Sequence, residues 1–153
     1  MVRVLFVCLG NICRSPMAEA VFMHKVREAG LAAEIEADSA GTGDWHIGRP
    51  PHPGTQEILE QNSIDYIHQG RQITSADLEI FDYILAMDNT NLRDIQSLGK
   101  SEAVVRRFLE YAPKSRVRDV PDPYLTGGFA GVFKLVNEAS NGLLAAIRAK
   151  HRL

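Results

Sequence analysis

The sequence predicts a three-layer α/β fold, a four-stranded parallel sheet flanked by helices. Three observations predict it. Apolar strand-like runs alternate with helical patterns along the whole chain, which is the signature of βαβ units with right-handed crossovers. The first run, Val2–Cys8, is continuously apolar apart from Arg3, as expected of a strand covered on both faces. Glycines and prolines fall mostly between the runs, apart from Pro16 at a helix start and Gly131 and Gly142 near the C-terminus.

The elements follow in order. After the first strand, residues 16–29 read as a helix with Ala18, Val21, Phe22, Val26 and Ala29 on one face and Gly30 past its end. Residues 34–39 form a second, more polar strand, and 40–53 a loop dense in glycine and proline. Short helices are expected over 55–61 and 75–81. Residues 81–87 make the third strand, followed by a helix over 89–98 that Gly99 stops. A fourth strand is expected over 104–109 and a loop over 111–122. Residues 129–150 read as a long helix with Phe133, Val136, Leu143, Leu144 and Ile147 inward; Gly142 inside it argues against an unbroken helix. No repeat or composition shift divides the chain, so residues 1–153 are expected to form one domain.

Composition narrows the function classes. Hydrophobic content of 45% and charged content of 24% are ordinary for a globular enzyme. A formal net charge of −2 gives no global field that would attract nucleic acid. No apolar stretch approaches a membrane span, and no signal peptide is visible, so neither nucleic acid nor membrane is an expected partner. Two cysteines, Cys8 and Cys13, without clustered histidines make neither a disulfide scaffold nor a metal site. A reducing cytoplasm and no cofactor are the expectation.

Chemistry concentrates at Cys8-Leu9-Gly10-Asn11-Ile12-Cys13-Arg14-Ser15-Pro16. Cys8 ends a strand and Arg14 stands where a helix begins. Backbone N–H groups, a helix dipole of about half a positive charge and a guanidinium therefore gather around one sulfur. Such a cup holds a tetrahedral oxyanion and favours thiolate. Gly10 lets the backbone approach a ligand, and Asn11 tolerates a left-handed conformation. Arg14 offers a planar fork that matches two oxyanion oxygens. Ser15 suits the helix N-cap and Pro16 the first helical position; Ser15 could instead, or also, donate to the Cys8 sulfur. Carboxyl ends of parallel strands form the ligand rim, and Cys8, Ser39 and Asp88 are expected at three such ends.

The run 7–20, Val-Cys-Leu-Gly-Asn-Ile-Cys-Arg-Ser-Pro-Met-Ala-Glu-Ala, resembles the signature of the low-molecular-weight protein tyrosine phosphatases, and the chain looks like a bacterial-type member. Asp38-Ser39-Ala40-Gly41-Thr42, His68 with Arg71 and Gln72, Met87-Asp88 with Asn91-Leu92-Arg93, and Asp122-Pro123-Tyr124 resemble further elements of that family. The resemblance implies hydrolysis of protein phosphotyrosine and small aryl phosphates through a cysteinyl-phosphate. Cys8 would be the nucleophile, Arg14 the oxyanion clamp and Asp122 the general acid and base. Residues 9–15 (Leu9, Gly10, Asn11, Ile12, Cys13, Arg14, Ser15) would bind phosphate. Asn11, Ser15, Ser39, His68 and Asp88 would brace the loop, and Trp45 and Tyr124 would wall the phosphotyrosine ring. Leu9, Ile12 and His46 would tune the aryl group. The family position of Cys13 implies a disulfide with Cys8 under oxidation. A tyrosine-phosphorylated protein is the implied partner, phosphate and other oxyanions are active-site ligands, no metal is required, and the protein would be a monomer or weak dimer.

Rivals on the same fold fare worse. Thioredoxin-linked arsenate reductases need cysteines downstream, and none follows Cys13. Protein-arginine phosphatases of the family carry threonine where this chain has Ile12. A phosphocysteine sugar-transport carrier would have no need of Asp122. Tyr124 is followed by Leu125, so the tandem tyrosines of animal members are missing.

Overall fold

The computed structural model describes residues 1–153 and has the expected architecture. Four strands, β1 (Val2–Cys8), β2 (Ile35–Gly41), β3 (Tyr83–Ala86) and β4 (Val104–Arg107), pair in the order β2-β1-β3-β4, all parallel. The chain steps from β1 outward to β2, then returns to the other side of β1 for β3. The sheet therefore reverses direction between β1 and β3, and a ligand crevice is expected outside their carboxyl ends.

Alternation along β1 splits the core. Val4, Phe6 and Cys8 face a large cluster with α1 (Arg14–Glu28) and α6 (Phe129–His151), while Leu5 and Val7 face a smaller one with α3 (Asp77–Ile80) and α4 (Asn89–Ser97). Phe6 sits edge-on to both Phe22 and Phe108, with ring centroids 5.6 and 5.1 Å away. Cys8 thus points to the helical face of α1, on the last residue of a buried strand.

Several boundaries differ from the sequence expectation, each for a local reason. β2 runs on to Gly41, where a bridge to Gln72 extends it, so Ser39 lies inside the strand opposite Phe6 rather than at its end. A Cβ at Gly41 would press on the Leu9 carbonyl and the Asn11 amide, so glycine there lets β2 close onto the loop that follows Cys8. α2 (Pro53–Gln61) starts earlier than expected because His52 accepts from the Gly54 amide through Nδ1 and caps the helix. The fourth strand stops at Arg107, and a 3₁₀ turn over Phe108–Tyr111 replaces its end. A short helix, α5 (Pro123–Thr126), opens on Asp122 as N-cap, directly after the residues the sequence gives as loop. Gly142 does not interrupt α6: any Cβ there would overlap the Tyr111 carbonyl oxygen, so the glycine lets the turn pack against the helix. No helix is long and apolar enough to cross a membrane.

Candidate active site

The loop after Cys8 is held by the left-handed residue Asn11, φ 55°. An asparagine side chain repays that conformation with local bonds, and here it makes four. Asn11 Nδ2 donates to Ser15 Oγ at 2.8 Å and Ser39 Oγ at 3.0 Å. Its Oδ1 lies 2.8 Å from His68 Nε2 and accepts from the Arg71 amide at 3.0 Å. One buried side chain thus ties the loop to α1, to β2 and to the 68–71 segment.

This network directs two donors at the Cys8 sulfur. Sγ accepts from the Asn11 N–H at 3.2 Å and stands 3.0 Å from Ser15 Oγ. Because Ser15 Oγ accepts from Asn11, its own hydrogen is free for the sulfur; the alternative acceptor, Ala40 O, is farther at 3.4 Å. Of the two roles open to Ser15, cap of α1 and donor to Cys8, the structure has the second: the helix begins at Arg14, Cys13 is its N-cap residue, and no side chain caps it. The Ser15 hydroxyl is occupied inside the cup instead.

Arg14 is buried, which opposes its charge, yet Cys8 and Asp88 outweigh that cost and hold the guanidinium protonated. Nη1 donates to Asp88 Oδ2 at 2.7 Å and to the Val120 carbonyl at 3.0 Å. Asp88 is itself fixed as the N-cap of α4, where Asn91 returns the bond in a capping box. Nη2 and Nε make no protein hydrogen bond, which leaves one edge of the fork for an oxyanion. Nη2 lies 3.7 Å from Asp122 Oδ2. Asp122 Oδ1 accepts from the Tyr124 amide at 3.1 Å, so the cap of α5 sets the aspartate over the cup.

These groups share one pocket of about 210 Å³, lined by Cys8, Ile12, Arg14, Asp122, Trp45 and Tyr124 among others. Trp45 and Tyr124 are 65% and 53% exposed, so both line the mouth of the pocket rather than the core. The Tyr124 ring is held between His46 and His52, centroids 5.9 and 5.8 Å away. α2 supports the loop from below: His52 N donates to Ile12 O at 2.7 Å and Thr55 Oγ1 to Cys13 O at 3.0 Å. Burial, with Cys8 adding to it, pushes the Cys13 thiol up to about 12.

Sequence reasoning missed the layer beneath. Ser39 Oγ donates to Glu19 Oε1 at 2.9 Å, and Tyr66 OH donates to the same oxygen at 2.8 Å. Burial pushes the Glu19 carboxyl up to about 7, against the lowering effect of those two bonds. Burial also lowers His68, 3.7 Å from Glu19, and raises Tyr66 beyond the usual phenol range. Arg71, whose amide holds Asn11, is clamped by Asp77 in a fork at 3.0 and 3.2 Å and by Asp38 at 3.0 Å. Arg71 and Glu19 were visible only as members of motifs. The sequence also suggested no ligand cluster, whereas the fold brings oxygens or nitrogens of Glu19, Asp38 and His68 within 4.8 Å of one another. Ser39, Tyr66 and Arg71 already engage the two carboxylates, and the Arg71 cation supplies the positive charge at that spot.

A sulfur at the base of a strand–loop–helix cup, beside a buried arginine and on this sheet order, defines a cysteine-loop phosphatase. The chain belongs to the low molecular weight phosphotyrosine protein phosphatase family, whose model matches residues 3–153. It is 49% identical to the low molecular weight protein-tyrosine-phosphatase YfkJ of Bacillus subtilis over 100% of both chains. The YfkJ crystal structure superposes with a TM-score of 0.96, covering 98% of this chain and 96% of that one. A Schizosaccharomyces pombe phosphatase of the family is 46% identical, over 95% of this chain and 97% of its own. A Drosophila arginine phosphatase matches with a TM-score of 0.89 at 35% identity, over 95% and 97% of the two chains. The protein is accordingly a protein-tyrosine-phosphatase, a hydrolase of phosphoric monoesters.

Proposed function

We propose that the chain, acting as one domain, hydrolyses protein phosphotyrosine in two in-line steps through a cysteinyl-phosphate. In the first, Cys8 Sγ forms a bond to phosphorus while the bond to the tyrosine oxygen breaks. Asp122, protonated, gives its proton to that leaving oxygen. In the second, a water oxygen attacks phosphorus, the S–P bond breaks, the electron pair returns to sulfur, and Asp122 takes the water's proton. The free edge of Arg14 and the loop amides would hold the three equatorial oxygens, so most of the acceleration is positioning and electrostatics.

The observation that carries this reading is the position of Asp122, 3.7 Å from Arg14 Nη2 in the same pocket as Cys8. An acid placed there reaches the leaving oxygen of a phosphoryl group seated on Arg14. The aromatic walls suit a phenyl ring, and a phosphoserine would be too short to bring phosphorus to the sulfur between them. Ile12 in the pocket lining favours an aryl ring over a guanidinium.

Steady-state kinetics on aryl phosphates of graded leaving-group pKa test the acid. Asp122→Ala should lose about 10²–10⁴-fold in kcat/KM, which reports on the first step alone, on phosphotyrosine and far less on a phenol that leaves as its anion. An equal loss on every leaving group would remove Asp122 from the acid's role. Parallel assays of phosphotyrosine and phosphoarginine peptides should favour phosphotyrosine strongly; equal rates would defeat the assignment.

A further inference from the structure

The active-site pocket has a neighbour. A groove of about 330 Å³ shares Leu9 and Trp45 with it and extends to Asp94 and Ser97 of α4 and to Leu98. Anything that enters the pocket attached to a polypeptide must lay its flanking residues over this rim, and the shared wall makes the groove the adjoining place for them.

Its chemistry is one-sided. Leu9, Ile73 and Leu98 give it an apolar lining, and no basic residue lines it. Its polar groups are acceptors with spare capacity. The Asp94 carboxylate makes no ion pair and accepts no hydrogen bond; only its backbone carbonyl is used, by Ser97 Oγ at 2.7 Å. Thr42 Oγ1 is buried without a partner. Gln72 spends its amide nitrogen on the Thr42 carbonyl at 3.1 Å, which leaves its oxygen free. An apolar trough ending in acceptors fits a long aliphatic stem with a cationic head, and the exposed Trp45 face adds cation–π attraction.

We propose that this groove is a substrate subsite for a lysine or arginine side chain next to the phosphotyrosine, with Asp94 as its ion-pair partner. The proposal rests on the phosphotyrosine reading above and extends it to sequence preference. It gives the enzyme a bias toward phosphotyrosine in basic contexts, read by a carboxylate outside the catalytic pocket.

Phosphotyrosine peptides of equal length, carrying Lys, Ala or Glu on either side of the phosphotyrosine, test it at low ionic strength. Each kcat/KM is divided by that of para-nitrophenyl phosphate, which has no flanking chain, for wild type, Asp94→Asn and Asp94→Lys. Wild type should prefer Lys over Glu by about three- to tenfold. Asp94→Asn should shrink that ratio toward one, and Asp94→Lys should invert it. No preference in wild type, or a preference that survives unchanged in Asp94→Lys, would overturn the proposal. Turnover of para-nitrophenyl phosphate with none of any peptide would overturn the phosphotyrosine reading along with it.

Discussion

Asn11 and His68, far apart in sequence, meet at 2.8 Å beneath the loop that follows Cys8, with the Asn11 carbonyl oxygen against the ring Nε2. The asparagine nitrogen donates on the opposite side to Ser15 and Ser39, which orients the amide and sets Nε2 as the N–H-bearing atom. Asn11→Ala would remove the four bonds of this side chain and leave a Cβ residue at φ 55°. Stability should fall by about 1–3 kcal/mol in urea unfolding, from the unpaired buried groups. The kcat for aryl phosphates should fall with it, because the Ser15 hydroxyl loses the bond that aims it at Cys8. Unchanged kcat would mean the loop keeps its shape without Asn11.

Arg14→Lys keeps the charge and loses the fork. A lysine ammonium is a point charge that cannot bond Asp88 and Val120 while presenting a planar edge to two oxygens. The expected result is a drop in kcat of about 10²–10³-fold with vanadate affinity weakened in parallel, measured by initial rates and inhibition. Retention of most of the activity would show that charge alone suffices.

Gly142 separates helix propensity from packing. On propensity, Gly142→Ala in an α6 interior should stabilise by about 1 kcal/mol. The overlap with the Tyr111 carbonyl reverses the sign, and overpacking of this kind costs about 1–3 kcal/mol. Thermal unfolding of the variant should show a lower Tm, and a raised Tm would mean that the 3₁₀ turn yields.

The cysteine pair implies a pH-dependent oxidation. Under peroxide Cys8 is expected to form a sulfenic acid; the Cys13 sulfur would then attack the Cys8 sulfur, the S–O bond would break and water would leave. The attacking species is the Cys13 thiolate, and burial holds that thiol up at about 12. Disulfide formation, followed by mass spectrometry between pH 6 and 9, should accelerate with pH, and alkylation at pH 7 should leave Cys13 unmodified. A pH-independent closure rate would remove Cys13 as the resolving group.

Much of this was legible because the signals were local. The buried run of β1 and the eight residues after it define strand, cup and clamp from adjacent positions, and Asp122 carries its own turn chemistry in Pro123 and Tyr124. What could not be read depends on pairings across the fold. Glu19 looks like a helix-surface acid, and only folding sets Tyr66 and Ser39 on one of its oxygens. Arg71 looks like any loop arginine until Asp77 and Asp38 grip it. Gly142 looks like a break because the residue it accommodates, Tyr111, lies in another element. The start of α1 moved from Pro16 to Arg14 because the Ser15 hydroxyl had a stronger claim in the cup than at the cap.

The buried Glu19 carboxyl makes stability depend on pH in a direction opposite to that of an ordinary paired acid. Its value is about 7 in the folded protein against an ordinary 4.5. Between those values the folded state keeps a proton that the unfolded chain has released, so stability falls as pH rises through this window and levels off above pH 7. The full effect is about 3 kcal/mol if the whole gap is expressed. His68 works the other way: burial lowers it, so the unfolded chain protonates first and its contribution is lost as pH falls through 6.5. The two slopes oppose each other in wild type, and Glu19→Gln separates them. The glutamine oxygen can still accept from Ser39 and Tyr66, but it does not titrate. Urea unfolding of both proteins at pH 5, 6, 7 and 8 should show the variant gaining on wild type by up to about 3 kcal/mol as pH rises, with most of the change between pH 5 and 7. A constant difference across the series would mean that the Glu19 carboxyl ionises as an exposed one does, and that the bonds from Ser39 and Tyr66 stand on a charge rather than on a shared proton.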